Sequence, residues 1–175
     1  LINDMSELAK MQSGNYVLNR TNMDLADKIG EIIELNQKSI AQGGQIVDLR
    51  LPGTLYIYAE EVKIGQVITN FLTNALKHTA TGQHITIQAY RKPDEETMHF
   101  EIRDDGEGIP ESELPYVWDR YHKTSRSFSR NQLNTGLGLA IVKAILDAHD
   151  AQFGVESVVG KGSTFWFELR ETHEA

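Results

Sequence analysis

The clearest periodicity lies in the middle of the chain. From Glu60 to His78, apolar residues fall at Ile64, Val67, Ile68, Phe71, Leu72 and Ala75. Steps of three and four put them on one face, which predicts an amphipathic helix with those side chains inward. A second helix is predicted from about Asp24 to Gln42. Asn22 is its expected cap, Leu25, Ile29, Ile32, Ile33 and Ile40 its buried side, and Gly43-Gly44 its stop. A third is predicted from Leu137 to Ala148. A short one opens the chain, with Leu1, Met5, Leu8 and Ala9 on one face before Met11 and a stop at Gly14. At about three turns it needs a partner to be stable.

Other stretches alternate with a period of two. Ile85 to Ala89 and Met98 to Arg103 read as strands joined by Lys92-Pro93-Asp94-Glu95. Phe153 to Val158 and Ser163 to Leu169 predict a hairpin around Gly160-Lys161-Gly162. Ile46 to Leu51 and Leu55 to Tyr58 predict another, turning at Pro52-Gly53, and Tyr16 to Thr21 predicts a short strand. Glu111 to Thr135 has no clean period and is rich in Ser, Arg, Lys, Asn and Tyr, the mark of a functional lid or a disordered loop. Mixed helices and hairpins predict an α+β fold: a two-layer α/β sandwich with a mixed, mostly antiparallel sheet and helices on one face.

Composition narrows the function. With 175 residues, 40% hydrophobic, the chain suits one compact domain with a real core. A formal net charge of -8 argues against nucleic-acid partners, although a local basic pocket can still take a small anion. The absence of cysteine excludes thiolate metal sites, redox pairs and disulfides. No apolar run approaches the roughly 20 residues of a membrane span. The start at Leu1, without an initiator Met, reads as part of a longer protein and leaves a membrane-bound parent open.

Four features carry chemistry. On the central helix, Asn70 and Asn74 are four apart and share a face, with Lys77 near it. Two carboxamide oxygens and an ammonium suit a Mg²⁺-polyphosphate. A solvated polar face would read the same. Asp104-Asp105-Gly106-Glu107-Gly108-Ile109-Pro110 follows a strand. Its glycines let backbone approach a planar ligand, and its aspartate can accept from an exocyclic amine. An ordinary Asp-Gly turn is the alternative. Thr135-Gly136-Leu137-Gly138-Leu139 opens a helix, where exposed N–H groups and the helix dipole favour phosphate. The dinucleotide fingerprint fails because position 141 is Ile, and no Gly-Lys-Ser/Thr follows a glycine-rich loop. Gly160-Lys161-Gly162-Ser163-Thr164 is, alone, a hairpin turn.

In order, spacing and context, these four resemble the asparagine box and three glycine boxes of the histidine kinase ATPase domain. That superfamily includes gyrase, the ninety-kilodalton heat-shock chaperone and the mismatch-repair ATPases. Val117-Trp118-Asp119-Arg120-Tyr121 is similar to the family's phenylalanine box, with Trp118 where Phe is usual. The resemblance runs from about Asn22 to Arg170, and Met5 to Gly14 is similar to the end of a dimerisation and phosphotransfer helix. Residues 1–14 are therefore expected to close that helix, and residues 15–175 to form the catalytic domain.

The resemblance implies a Bergerat-type sandwich with a long ATP lid. It also implies ATP and Mg²⁺ as cofactors. Asn70 would hold the metal, with Asn74 and Lys77 at the phosphates and His78 near the nucleotide. Asp104 would bind the adenine amine, framed by Gly106, Gly108 and Ile109, with Thr164 on the adenine side. Thr135, Gly136, Leu137, Gly138 and Leu139 would line the phosphate loop, with Tyr121 beside the nucleotide. Lys123, Arg126 or Arg130 would reach the γ-phosphate. The implied partners are the protein's own dimerisation and phosphotransfer domain, in a homodimer, and a downstream response regulator of a two-component system. Neither nucleic acid nor direct membrane contact by this segment is implied. The domain would be cytoplasmic and the whole protein in the bacterial cell membrane.

Three departures matter. The superfamily's hydrolases place a glutamate four residues before the first motif asparagine, whereas Gln66 stands here and an amide is a poor base. Asn134 replaces a glycine often found two residues before Gly136. No histidine has the context of a phosphoacceptor: His84, His99, His122, His149 and His173 read as surface or packing residues. Two alternatives stay open. One is a hydrolysing ATPase of the gyrase or chaperone type. The other is a degenerate nucleotide-binding module that regulates a partner.

Overall fold

The computed structural model describes residues 2–94, 96–119 and 138–170. Helix α1 (Ile2–Gln12) is followed by strand β1 (Thr21–Asp24), helices α2 (Leu25–Leu35) and α3 (Gln37–Gly43), strands β2 (Ile46–Arg50) and β3 (Tyr56–Ala59), and the long helix α4 (Glu61–His78). Strands β4 (His84–Arg91) and β5 (Thr97–Asp104), helix α5 (Gly138–Ala148), and strands β6 (Gln152–Val158) and β7 (Gly162–Arg170) complete the described fold. A 3₁₀ turn at Leu114–Tyr116 lies between β5 and α5.

The main sheet runs β2-β4-β5-β7-β6, with β2 parallel to β4 and the other pairs antiparallel. Burial alternates along its three central strands, β4, β5 and β7. Ile85, Ile87, Ala89, Met98, Phe100, Ile102, Phe165, Phe167 and Leu169 are buried against the helices, which contribute Ile29, Ile64, Val67, Ile68, Phe71, Leu72, Ile141, Val142, Ile145 and Leu146. Phe71 lies at the centre, its ring 5.4 Å from that of Phe165 and 6.5 Å from that of Phe100. The expected two-layer α+β sandwich is what the chain forms.

The opposite face of the sheet is polar and aromatic. His99 stands between the rings of Tyr90 and Trp166, with Nδ1 2.7 Å from Glu168 and Nε2 3.1 Å from Glu101. Trp166 lies over Gly154, where a Cβ would come within 3.0 Å of the indole.

Several sequence expectations are corrected. The Pro52-Gly53 hairpin does not form. β2 pairs with β4, in a parallel arrangement that requires a crossover, while β3 pairs with β1 in a separate two-stranded sheet. Leu55 is tied to the head of α2: its N–H donates to Asp24 Oδ1 at 2.9 Å and its carbonyl accepts from Leu25 at 2.7 Å. The first strand is Thr21–Asp24 and not Tyr16 to Thr21, because β3 offers partners only from Thr21 onward. Asp24, not Asn22, caps α2 through Ala26 N–H.

The expected single helix to Gln42 breaks at Asn36, whose side-chain amide donates to the Ile32 carbonyl at 2.8 Å. Ile33 and Ile40 are only half-buried. In α1, Leu8 and Met11 are the buried pair, while Met5 is 47% exposed and Ala9 is exposed too. Leu1 lies outside the described residues.

Helix α1 packs against α5 and is tied by side chains to α4. Gln66 Nε2 donates to Glu7 Oε2 at 3.2 Å, and Lys63 pairs with the same carboxylate. Burial pushes the Glu7 carboxyl up, but the Lys63 and Gln66 hydrogen bonds and the Lys63 charge hold it below its ordinary value overall.

Candidate functional site

The polar face of α4 carries the first part of the site. Asn70, Asn74, Lys77 and His78 are all half-buried on it. Asn70 meets α5: its Nδ2 donates to the Gly138 carbonyl at 3.4 Å. Gly138, the first residue of α5, leaves room there, since a Cβ would sit 3.9 Å from Asn70 Oδ1. Asn70 and His78 are eight residues apart, about 12 Å along a helix.

The second part is assembled at the end of β5. Asp104 is 3% exposed, and its Oδ1 accepts from Gly106 N–H at 2.9 Å. Burial pushes its carboxyl up. The N–H groups of Gly106 and Ser163 and the nearby His78 oppose that shift without cancelling it. Glycine is obligatory around this carboxylate. A Cβ on Gly106 would lie 2.1 Å from the His78 carbonyl, and one on Gly162 would lie 1.9 Å from the Asp104 carbonyl at a φ of +112°. A Cβ on Gly108 would meet the Val158 carbonyl at 2.3 Å.

The loop after β5 is fastened on both sides. Glu107 Oε1 lies 3.2 Å from His78 Nδ1, joining the loop to the end of α4. Ile109 N–H donates to Ser157 Oγ at 2.7 Å, and Gly160 N–H donates to the Glu107 carbonyl at 2.8 Å. The first and third glycine motifs, around Gly106 and Gly162, are thus one object. Trp118 packs edge-on to Phe71, Phe153 and Phe165, with centroids 6.4, 5.1 and 5.7 Å away. Val117 beside it is buried, which anchors the chain just before residue 120.

One expected residue moves by a single position. In the β5–β7 register Ser163 faces Asp104 and Thr164 faces Arg103. Ser163 is buried with Phe165 and Phe167, so alternation turns Thr164 to the sheet's outer side. Ser163 therefore replaces Thr164 beside the buried carboxylate. The period of two through Phe165 and Phe167 was the signal that could have found it. Glu107 and Ser157 were also missed, and only their contacts reveal them.

Gly138 and Leu139 stand at the head of α5, Leu139 packed against the core. Tyr121, Lys123, Arg126, Arg130, Thr135, Gly136 and Leu137 lie outside the described residues. Among the described residues no group of three or more His, Cys, Asp or Glu side chains could hold a metal. A metal here would have to come with its own ligands. That suits Mg²⁺, which keeps several waters and binds largely through phosphates, and a single amide oxygen such as that of Asn70 fits it.

The geometry has a counterpart among known proteins. Residues 59–173 match the family of histidine kinase-, DNA gyrase B-, and HSP90-like ATPases. The chain is 32% identical over 169 residues to the sensor histidine kinase WalK of Bacillus subtilis (strain 168), covering 97% of this chain and 28% of that protein. It is 30% identical to the sensor protein kinase WalK of Staphylococcus aureus, covering 97% of this chain and 40% of that one. The chain thus spans well under half the length of these relatives.

Among solved structures, full-length ShkA in complex with AMPPNP superposes with a TM-score of 0.85 at 24% identity, covering 99% of this chain and 36% of that one. Histidine kinase ThkA, in complex with response regulator protein TrrA, superposes with a TM-score of 0.75 at 22% identity, covering 98% of this chain and 49% of that one. At these identities the structures establish the shared fold.

Proposed function

The chain belongs to the family of histidine kinase-, DNA gyrase B-, and HSP90-like ATPases, and from that premise we propose that it is the ATP-binding catalytic domain of a two-component sensor histidine kinase. It would transfer the γ-phosphoryl group of ATP to a histidine on a dimerisation and phosphotransfer domain, of which α1 is the closing helix. Residues 1–14 would belong to that domain, and residues 15–175 to the catalytic domain. The phosphorylated protein would then serve a response regulator. The whole protein would be a homodimer in the bacterial cell membrane with this domain in the cytoplasm; no described helix is long and apolar enough to cross a membrane.

The observation that carries the reading is the buried Asp104 carboxylate. It is 3% exposed and held by backbone N–H groups, a placement that suits a carboxylate kept to accept from a bound base as well. At the end of β5, between Gly106 and Ser163, it would accept the adenine amine and reject guanine, which offers a carbonyl at that position. Gly106, Gly108 and Ile109 would border the base, with His78 close by. Along α4, Asn74 and Lys77 would meet the phosphates, and Asn70 would hold Mg²⁺ by its carboxamide oxygen. Mg²⁺, when bound with the nucleotide, supplies charge neutralisation on the phosphates.

Thr135, Gly136, Leu137, Gly138 and Leu139 would give the phosphate loop, with backbone N–H groups at the head of α5. Tyr121 would lie beside the nucleotide, and Lys123, Arg126 or Arg130 would steady the γ-phosphoryl oxygens. The protein's part is positioning and electrostatic stabilisation of an in-line transfer. Gln66 supports transfer over hydrolysis. It cannot serve as a base, and its amide is engaged by Glu7.

The test is calorimetric titration with a non-hydrolysable ATP analogue, with and without Mg²⁺, and with the guanine counterpart. Mg²⁺-aided binding of the adenine analogue alone is expected. A folded chain that binds neither would overturn the reading.

A further inference from the structure

Buried His149 takes no part in the nucleotide site described above. It follows the last residue of α5 and is 4% exposed. Its two ring nitrogens have different partners. Nδ1 lies 2.8 Å from the Ile145 carbonyl, which can only accept, so Nδ1 carries the hydrogen. Nε2 is then a bare acceptor, and it receives the Glu60 N–H at 3.2 Å.

That N–H belongs to the cap residue of α4, which has no side-chain cap of its own. A capping box would place Glu or Gln three residues on to reach back to it, but Lys63 stands there and pairs with Glu7. A histidine 89 positions away performs the task. The Glu60 carboxylate meanwhile accepts the Tyr16 hydroxyl at 2.9 and 3.1 Å, so the approach from α1 is tied to the same point.

The other end of the same helix pair is the nucleotide site. Asn70 meets Gly138 there, and Glu60 meets His149 here. Both stretches are about ten residues, or about 15 Å, so α5 runs antiparallel to the first half of α4 and is joined to it at both of its own ends. We propose that His149 is a positioning residue for the nucleotide site: as a neutral hydrogen-bond bridge it fixes the foot of α5 on the head of α4, and so sets where Gly138 meets Asn70. The proposal rests on the nucleotide-site reading above.

Protonation would set an Nε2–H against the Glu60 N–H, donor facing donor, and open the bridge. Burial pulls the imidazole down and keeps it neutral near pH 7. The Ile145 hydrogen bond opposes that shift without cancelling it; the charge of Arg20, ahead of β1, acts with burial, and Glu60 and Asp150 act against it.

The experiment compares the wild-type chain with His149→Gln and His149→Phe from pH 5 to 8. Gln offers an acceptor and a donor without titrating, and Phe fills the space with neither. Hydrogen exchange at the Glu60 amide, corrected for intrinsic rates, reads the bridge. Protection in the wild type should fall as pH drops below about 6.5. It should stay flat in the Gln variant and be about tenfold lower in the Phe variant at every pH. Full protection in the Phe variant, or parallel loss in wild type and Gln, overturns the bridge.

Titration with the Mg²⁺ complex of a non-hydrolysable ATP analogue reads the positioning. Wild-type affinity should fall in acid relative to the Gln variant, and the Phe variant should bind about tenfold more weakly throughout. Equal affinities in three folded proteins overturn the positioning role. A folded wild type that binds no adenine nucleotide at any pH instead sinks the nucleotide reading. The Asn70 side-chain amide resonance then decides the positioning alone: displaced by Phe and restored by Gln supports it, unmoved by either refutes it.

Discussion

Asp104 is an expensive residue for the fold. Its carboxyl is pushed up by burial, so the folded chain holds that proton more tightly than the unfolded one. Its ionised form therefore costs stability, and the cost sets in as pH rises from the unfolded value near 3.8 through the raised folded value. Asp104→Asn keeps an oxygen for the Gly106 N–H and removes the buried charge. Thermal melts should show the variant more stable than wild type at pH 7, with the advantage gone below about pH 3.5, while adenine binding is lost.

Two neighbouring glycines separate conformation from contact. Gly160 and Gly162 both have positive φ, but a Cβ on Gly160 meets nothing within 4 Å, whereas one on Gly162 strikes the Asp104 carbonyl. Gly160→Ala should cost about 1 kcal/mol, and Gly162→Ala at least about 2 kcal/mol, in denaturant melts. Only the second should also weaken nucleotide binding.

At the scale of elements, legibility followed locality. The helix from Glu61 to His78 and the hairpins β4–β5 and β6–β7 were readable because one repeated period and one short turn specify each. The expected hairpin at Pro52-Gly53 failed because strand patterns say nothing about which partner a strand chooses. β2 finds β4 from 38 positions away, and β3 finds β1. In the candidate site, spacing singles out Asn70, Asp104 and the glycines without fixing their roles, whereas Glu107 and Ser157 act through contacts that no local pattern encodes. Ser163 was one step of alternation away.

The cap of α2 gives a clean test. Asp24 Oδ1 accepts from Ala26 at 3.1 Å and from Leu55 at 2.9 Å, while Asn22 is exposed. Asp24→Ala should cost about 1–2 kcal/mol, and Asn22→Ala almost nothing, in parallel urea titrations.

For the molecule as a whole, α1 packs against α5 and is also tied by side chains to α4. Glu7, Lys63 and Gln66 join α1 to its first two turns, and Asn70 follows one turn later. The Glu7 carboxyl, held below its ordinary value, contributes stability above about pH 4.5 that is lost as pH falls through its folded value. The pair is partly exposed, so that contribution is small. Leu8, at 1% exposure, contributes more. Leu8→Ala should lower global stability by about 2–3 kcal/mol in denaturant melts. An unchanged midpoint would mean that α1 does not share the core.

The two tryptophans of the chain sit on opposite sides of the sheet, Trp118 among phenylalanines at the threshold of residues 120–137 and Trp166 over Gly154. The protein therefore carries two intrinsic fluorophores in different surroundings. Replacing Trp166 by Phe leaves a single emitter two residues from that segment. Its quantum yield and emission maximum should change when nucleotide is added, giving a stopped-flow signal that needs no dye. Replacing Trp118 instead leaves an emitter on the far face that should stay silent.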